Sequence, residues 1–330
     1  MKKKIIGIFV CILLITICVL PVCGAMSESD LKKSSLSPGD YLCFMFFGMR
    51  PRSYRIHIPP SYDGSTPVPL VLVLHGFPGC AKAMLYVGMN AEADEEGFIA
   101  VYPNGHTPRL STLLVTLQKT LRSLIIGGGG FIYNCWDFDN VDDVGFIRTL
   151  IETLQTTLEI NSSRIYITGF SGGAMMTYRL GAELSDIVAA IAPVAGSIGG
   201  MWPYQLGPRL PLYIIPEPEH PLPVIAFNGM NDSDVPYNGI YDNGDWWLIS
   251  VNDSVSFWVE HNQCDPNPQI NISESGNIIK KTYTNGSLGT EVVLYTVVDG
   301  VHGWFGSPYW PCEISATELI WEFFESHPKP

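Results

Sequence analysis

Arg164-Ile165-Tyr166-Ile167-Thr168-Gly169-Phe170-Ser171-Gly172-Gly173-Ala174 is the stretch that decides the fold. Its first five residues are bulky and β-branched, as in a strand, and Ala174 to Leu184 carries a helical pattern. Between them lies a G-x-S-x-G, Gly169 to Gly173. A strand that turns at once into a helix strains the backbone of the central serine and packs its neighbours so closely that they must be small. The helix N-terminus then faces the serine and favours negative charge developing there. Ser171 is therefore the candidate nucleophile. An ordinary Gly/Ser turn is the alternative, and the strand before and helix after argue against it.

Outward from this turn, strands and helices alternate. Ser53 to Ile58 alternates like a strand and stops at Pro59-Pro60. Leu70 to Leu74 and Phe98 to Tyr102 are continuous apolar runs, as expected of strands buried on both faces. Ala81 to Glu96 reads as a helix that Gly97 can end. Asp142 to Glu159 reads as another, with Val144, Ile147, Leu150, Ile151, Leu154 and Leu158 on one face and acids at its start. Ile187 to Val194 is a further apolar run, Val224 to Phe227 and Val292 to Val298 read as later strands, and Val251 to His261 and Ile314 to Phe324 as helices. The pattern predicts the α/β class: a mostly parallel sheet with helices on both faces, in one domain over residues 26–330. Thr107 to Phe131 and Ser197 to Pro223 break the alternation and read as surface insertions, lids or substrate loops.

A serine hydroxyl needs a base, and the base needs an orienting acid. The chain order expected for this architecture is Ser, acid, His. His302, just beyond the last strongly apolar strand, is the candidate base; His220, His261 and His327 fall among prolines, in a helix and in the tail. Asp232 and Asp234 follow the Val224 to Phe227 strand, and composition does not separate them. The oxyanion donors are expected to be the backbone amides of Phe77 and Gly172, with His75 structural. Trp136, Tyr237, Trp304 and Trp310 are candidates to line a substrate cleft, with core packing as the other reading.

Composition narrows the partners. With 46% apolar and 15% charged residues the chain can bury a large core, and a formal charge of −13 makes nucleic-acid binding a poor fit. Lys2, Lys3 and Lys4 precede an apolar run from Ile5 to Leu20 and the small residues Cys23-Gly24-Ala25. This layout predicts a signal peptide over residues 1–25 and a secreted protein, with an uncleaved membrane anchor as the alternative. Sequons at Asn161, Asn231, Asn252, Asn271 and Asn285 suit export. Cys43, Cys80, Cys135, Cys264 and Cys312 form no metal-binding spacing; Cys264 with Cys312 and Cys80 with Cys135 are the expected disulfides.

Several motifs run in the order of one family: Leu74-His-Gly76, Asp94-Glu-Glu-Gly-Phe98, Tyr102-Pro-Asn-Gly105, Cys135-Trp136, Val141-Asp-Asp-Val-Gly-Phe146 and Arg164 to Ala174. They continue with Asp232-x-x-Val-Pro-Tyr237 and Val301-His302-Gly-Trp304. The chain resembles the secreted poly(3-hydroxybutyrate) depolymerase-type esterases, related to feruloyl and acetylxylan esterases of the first carbohydrate esterase family. The likeness covers nearly all of Ser53 to Pro328. It implies an α/β-hydrolase fold and a secreted serine esterase without metal or organic cofactor, acting on a polyester or a plant-polysaccharide-derived ester. It also selects Asp232 as the acid, three residues before Val-Pro-Tyr. The chain departs from the family at Asn228-Gly229, where His-Gly is usual, and at Val301 to Phe305, where Gly-His-x-Trp-Pro is usual. A peptidase or acyl-transferase on the same fold, and an exported carbohydrate-binding protein with a vestigial triad, are the competing readings.

Overall fold

The computed structural model describes residues 25–26, 36–48, 50–77, 79–106, 136, 141–200, 213–242 and 245–330. In chain order the strands are β1 (Ala25–Met26), β2 (Gly39–Phe47), β3 (Arg50–Ile58), β4 (Val68–Leu74), β5 (Ile99–Pro103), β6 (Ile160–Phe170), β7 (Ala190–Val194) and β8 (Gly199–Gly200). They continue as β9 (Tyr213–Ile214), β10 (Val224–Gly229), β11 (Ile240–Asp242), β12 (Asp245–Leu248), β13 (Gln269–Ile272), β14 (Ile278–Tyr283) and β15 (Val292–Val297). The helices are α1 (Met89–Glu96), α2 (Asp143–Thr157), α3 (Gly172–Glu183), α4 (Val251–His261) and α5 (Ala316–Ser326).

Among the described residues eleven strands form one sheet, in the order β1-β2-β3-β5-β4-β6-β7-β10-β15-β14-β13. The six central strands, β5 to β15 in that order, run parallel. The flanks are antiparallel, β2 with β3 and β3 with β5 on one side, β13 with β14 and β14 with β15 on the other. Strand residues alternate between two cores. Leu70, Leu72 and Leu74 of β4 pack on one face with α2, α3 and α4, while Val71 and Val73 pack on the other with α1 and α5. That is why the central strands read as continuous apolar runs. On the second face Tyr166 stacks on Phe324 at 4.6 Å and Phe98 on Trp321 at 4.3 Å.

Three expectations change. The helix over Ala81 to Glu96 is a 3-10 turn, Ala81–Val87, and a separate α1, divided at Gly88. Gly88 has φ 92°, a left-handed conformation that ends one helix before the next begins. Cys264 and Cys312 are both free thiols. Cys264 belongs to the α2–α4 face and Cys312 packs against the opposite core, so the sheet separates them. Cys80 is also a free thiol, and Cys135 lies outside the described residues, as do Thr107 to Phe131 and residues 1–24.

Candidate active site

β6 delivers Phe170 and Ser171 to the carboxyl edge of the parallel strands, and α3 begins at Gly172. Ser171 has φ 56° and ψ −118°, an arrangement that costs a non-glycine residue about 1–3 kcal/mol. Surrounding bonds hold it there: Ser171 N–H donates to Val194 O at 2.9 Å, and Ser171 O accepts from Met175 N–H at 3.0 Å. The flanking glycines are required by close approach. A Cβ at Gly169 would lie 2.5 Å from Gly173 O, and one at Gly173 would collide with Leu74 O and His75 O. The Ser171 side chain does not cap its own helix. The N–H of Gly172, in the first turn of α3, has no acceptor within the helix.

Asp232 follows β10 and is buried. Its Oδ1 accepts from the amides of Asp234 at 2.9 Å and Val235 at 2.8 Å, and its Oδ2 lies 2.7 Å from His302 Nδ1. A carboxylate oxygen can only accept, so Nδ1–H donates this bond, and the neutral ring then has its lone pair on Nε2. Asp234 is exposed and lends only its backbone to this site. His302 sits on the loop after β15, which the Asn231 N–H to Gly300 O bond of 2.9 Å ties to the Asp232 loop. The imidazole packs on the Phe170 ring at 4.8 Å, beside Ser171 in the chain. Asp232 and His302, 70 positions apart, are thus paired across two loops, with the His302 ring against Phe170, the residue before Ser171.

The aromatic candidates fare differently. Trp304 is buried and its Nε1 donates to Thr317 Oγ1 at 2.9 Å. Tyr237 is buried with its hydroxyl 2.9 Å from Thr296 Oγ1. Trp136 is buried, stacks on His75 at 4.9 Å, and donates Nε1–H to His75 O at 2.8 Å. All three are packing residues rather than a presented surface, because their polar atoms are committed inside the protein. Trp310 is partly exposed and lies 5.8 Å from the Phe170 ring. Beyond it come two rings the sequence did not single out, Tyr309 at 6.0 Å and Tyr86 at a further 5.8 Å, both exposed. A row of aromatic rings therefore leads away from His302.

No family model matches the chain. A Nocardia uniformis subsp. tsuyamanensis protein that bears the name "Putative esterase NocK" is 28% identical over 279 residues, covering 82% of this chain and 76% of its own. Feruloyl esterase B of Piromyces equi is 25% identical over 260 residues, 76% of this chain and 42% of its own length. The chain is thus similar to feruloyl esterases, an acetylxylan esterase/xylanase and a poly(3-hydroxyalkanoate) depolymerase. The acetyl xylan esterase from Aspergillus awamori superposes with a TM-score of 0.52 at 13% identity, over 83% of this chain and 94% of that one. The fold is that of the α/β hydrolases.

Two of the residues that depart from the motifs of the resemblance are held by packing, Asn228 and Phe305, while Val301 is exposed. Asn228, where histidine is usual, is buried and donates Nδ2–H to Gly196 O at 3.3 Å. Phe305, where proline is usual, is buried in the α1–α5 core, and its carbonyl accepts from Ala316 N–H at 2.9 Å.

His75 is fully buried, and burial pushes its imidazole down to about 4, against the pull of the Gly76 carbonyl and the Asp143 carboxylate. Free histidine binds its proton near pH 6.5. Between those values the unfolded chain holds a proton that the folded chain refuses, so this residue withdraws stability as pH falls from about 6.5 toward 4. Glu92, pushed up to about 7 by burial and by Glu318, Glu96, Glu95 and Glu322, acts oppositely as pH falls. The difference in urea midpoint between wild type and His75→Asn isolates the histidine. That difference should shift against the wild type between about pH 6.5 and 4.5, and a pH-independent difference would contradict the burial argument.

Proposed function

We propose that the protein hydrolyses carboxylic esters by two-step acyl transfer, with Ser171 as nucleophile, His302 as base and Asp232 as the orienting acid. The observation that carries this reading is the 2.7 Å contact of Asp232 Oδ2 with His302 Nδ1 beside a serine held at φ 56°. Ser171 attacks the ester carbonyl while His302 Nε2 takes its proton, and Asp232 stabilises the resulting imidazolium. The Phe77 and Gly172 amides bind the oxyanion, each worth about 3 kcal/mol by analogy with measured donor deletions. His302 returns the proton to the leaving alcohol. Water then enters, is deprotonated by the same nitrogen, and releases the acid from Ser171.

The substrate reading is an uncharged ester with a ring or other bulky apolar group. The aromatic row from Phe170 to Tyr86 supports it, since such rings bury apolar and sugar faces without needing charge. The chain's charge of −13 disfavours polyanionic substrates. The names of the relatives, feruloyl esterase among them, agree with it. The test is a hydrolysis panel of para-nitrophenyl acetate, its matched anilide, methyl ferulate, acetylated xylan and hydroxybutyrate oligomers. Ester turnover above anilide turnover is expected, with kcat/KM for methyl ferulate above that for acetylated xylan. Faster anilide cleavage would overturn the esterase reading.

Export is part of the same proposal, supported by the basic start and apolar run of residues 2–20. N-terminal sequencing of protein from the native culture should begin just after Ala25.

A further inference from the structure

We propose that His75 is a positioning residue that aims the Phe77 N–H at the developing oxyanion, by gripping the carbonyl of the peptide that carries it. This rests on the acyl-transfer reading above and adds a residue that the triad and the oxyanion hole do not include.

The ring's two nitrogens have distinct tasks. Nε2 lies 3.0 Å from the Gly105 N–H, which can only donate, so Nε2 holds the lone pair. Nδ1 therefore carries the proton and donates it to Gly76 O at 2.8 Å. In a trans peptide the carbonyl of one residue and the N–H of the next lie in one plane and point oppositely. Fixing Gly76 O consequently fixes the Phe77 N–H, aimed away from the imidazole. The preceding peptide is held as well, because His75 O accepts the Trp136 indole N–H at 2.8 Å while that indole stacks on the ring.

The gripped peptide lies against the nucleophile. A Cβ on Gly76 would be 3.2 Å from both Ser171 Cβ and Phe170 O. The far end of the grip is anchored too. Asn104, beside Gly105, donates its N–H to Ser53 O at 2.9 Å and its Nδ2–H to Ser53 Oγ at 2.9 Å, and its Oδ1 accepts from Ala81 N–H at 2.7 Å. The loop behind His75 is thereby tied to β3, a strand separated from the nucleophile-bearing β6 by β5 and β4. Preorganisation of this kind is what gives an oxyanion donor its effect, since no reorientation is needed when charge develops.

Three variants separate aiming from filling space. His75→Asn keeps a donor near the Nδ1 position and loses the acceptor at Nε2. His75→Gln reverses this, and His75→Leu loses both. With para-nitrophenyl acetate, kcat should fall by about 10²- to 10³-fold in the Gln and Leu variants, the cost of one lost oxyanion donor. The Asn variant should retain most of kcat, and KM should change by less than about 3-fold throughout. Inactivation by a fluorophosphonate, which also builds negative charge on its oxygen, should slow in the same order. Thermal midpoints are measured alongside; should the Leu variant not fold, the Asn and Gln pair decides. Equal kcat losses in Asn and Gln, or losses confined to KM, would overturn the proposal. The esterase reading would fall separately, if Ser171→Ala kept its turnover.

Discussion

Ser171→Ala should lower kcat on para-nitrophenyl acetate by about 10⁶-fold while leaving the protein folded, because the serine works through a unit that fails together. His302 has no other proton to move in the first step, and Asp232 acts only through His302. Removing His302 as well should add almost nothing, since triad members are strongly non-additive. Asp232→Asn should cost less, about 10⁴-fold, by allowing the imidazole the wrong tautomer. That substitution also tests the carboxylate's anchoring, since Oδ1 takes the amides of Asp234 and Val235. The fold should tolerate Ser171→Ala well. The hydroxyl does not cap α3, and the main-chain bond to Val194 O is the same for alanine. The thermal midpoint and covalent mass gain from a fluorophosphonate complete the measurement. Wild type should gain one adduct at Ser171 and the variant none. Unchanged turnover in a folded Ser171→Ala would remove the nucleophile and with it the whole acyl-transfer scheme.

The parts of this molecule that were legible in the sequence are those whose environment is symmetric or whose local geometry is demanding. β4, β7, β10 and β15 show as apolar runs because both faces are buried, and α4 was placed to the residue at Val251–His261. Ser250 fixes its start by accepting the Asp253 amide at 3.0 Å. Of the antiparallel flanks only β3 was legible, as Ser53 to Ile58; β2, β13 and β14 were not. All four residues of β13 are exposed, so nothing forces an apolar pattern on that edge. Ser171 announced itself because the turn admits only small neighbours. The choice between Asp232 and Asp234 was not available from composition, since both can cap a turn, and it depends on which carboxylate reaches His302 across 70 positions. The tryptophans were ambiguous for a related reason. An indole's role depends on where its N–H ends up, and Trp136 and Trp304 spend theirs inside the fold while Trp310 stands at the rim. The grip of His75 on Gly76 O depends on the Asn104 loop, which the residues around His75 do not encode locally.

Asp143→Ala should destabilise the fold by about 3–5 kcal/mol, the range for breaking a buried ion pair by removing one partner. Asp143 opens α2, and its side chain is completely buried. Its Oδ1 lies 2.6 Å from Arg52 Nη2 on β3, and its Oδ2 lies 3.5 Å from His106 Nδ1. Arg52 is nearly as deeply buried, with its guanidinium 3.7 Å above the Phe146 ring and Nη2 also donating to Asn104 O at 3.2 Å. Taking away the carboxylate leaves this cation in the core with an aromatic face and a carbonyl but no counter-charge. The cost is therefore that of a stranded charge, larger than the worth of the pair itself. Replacing both residues with apolar ones of similar size, Arg52→Met with Asp143→Leu, should recover much of the loss, because neither desolvation penalty then remains. The pair also braces Asn104, so the single variant should lose activity at temperatures below its unfolding transition, as the loop behind His75 loosens. Urea unfolding of the two single variants and the double variant gives the comparison. A shift under about 1 kcal/mol for Asp143→Ala would mean that water reaches Arg52 and that the pair is not buried in solution.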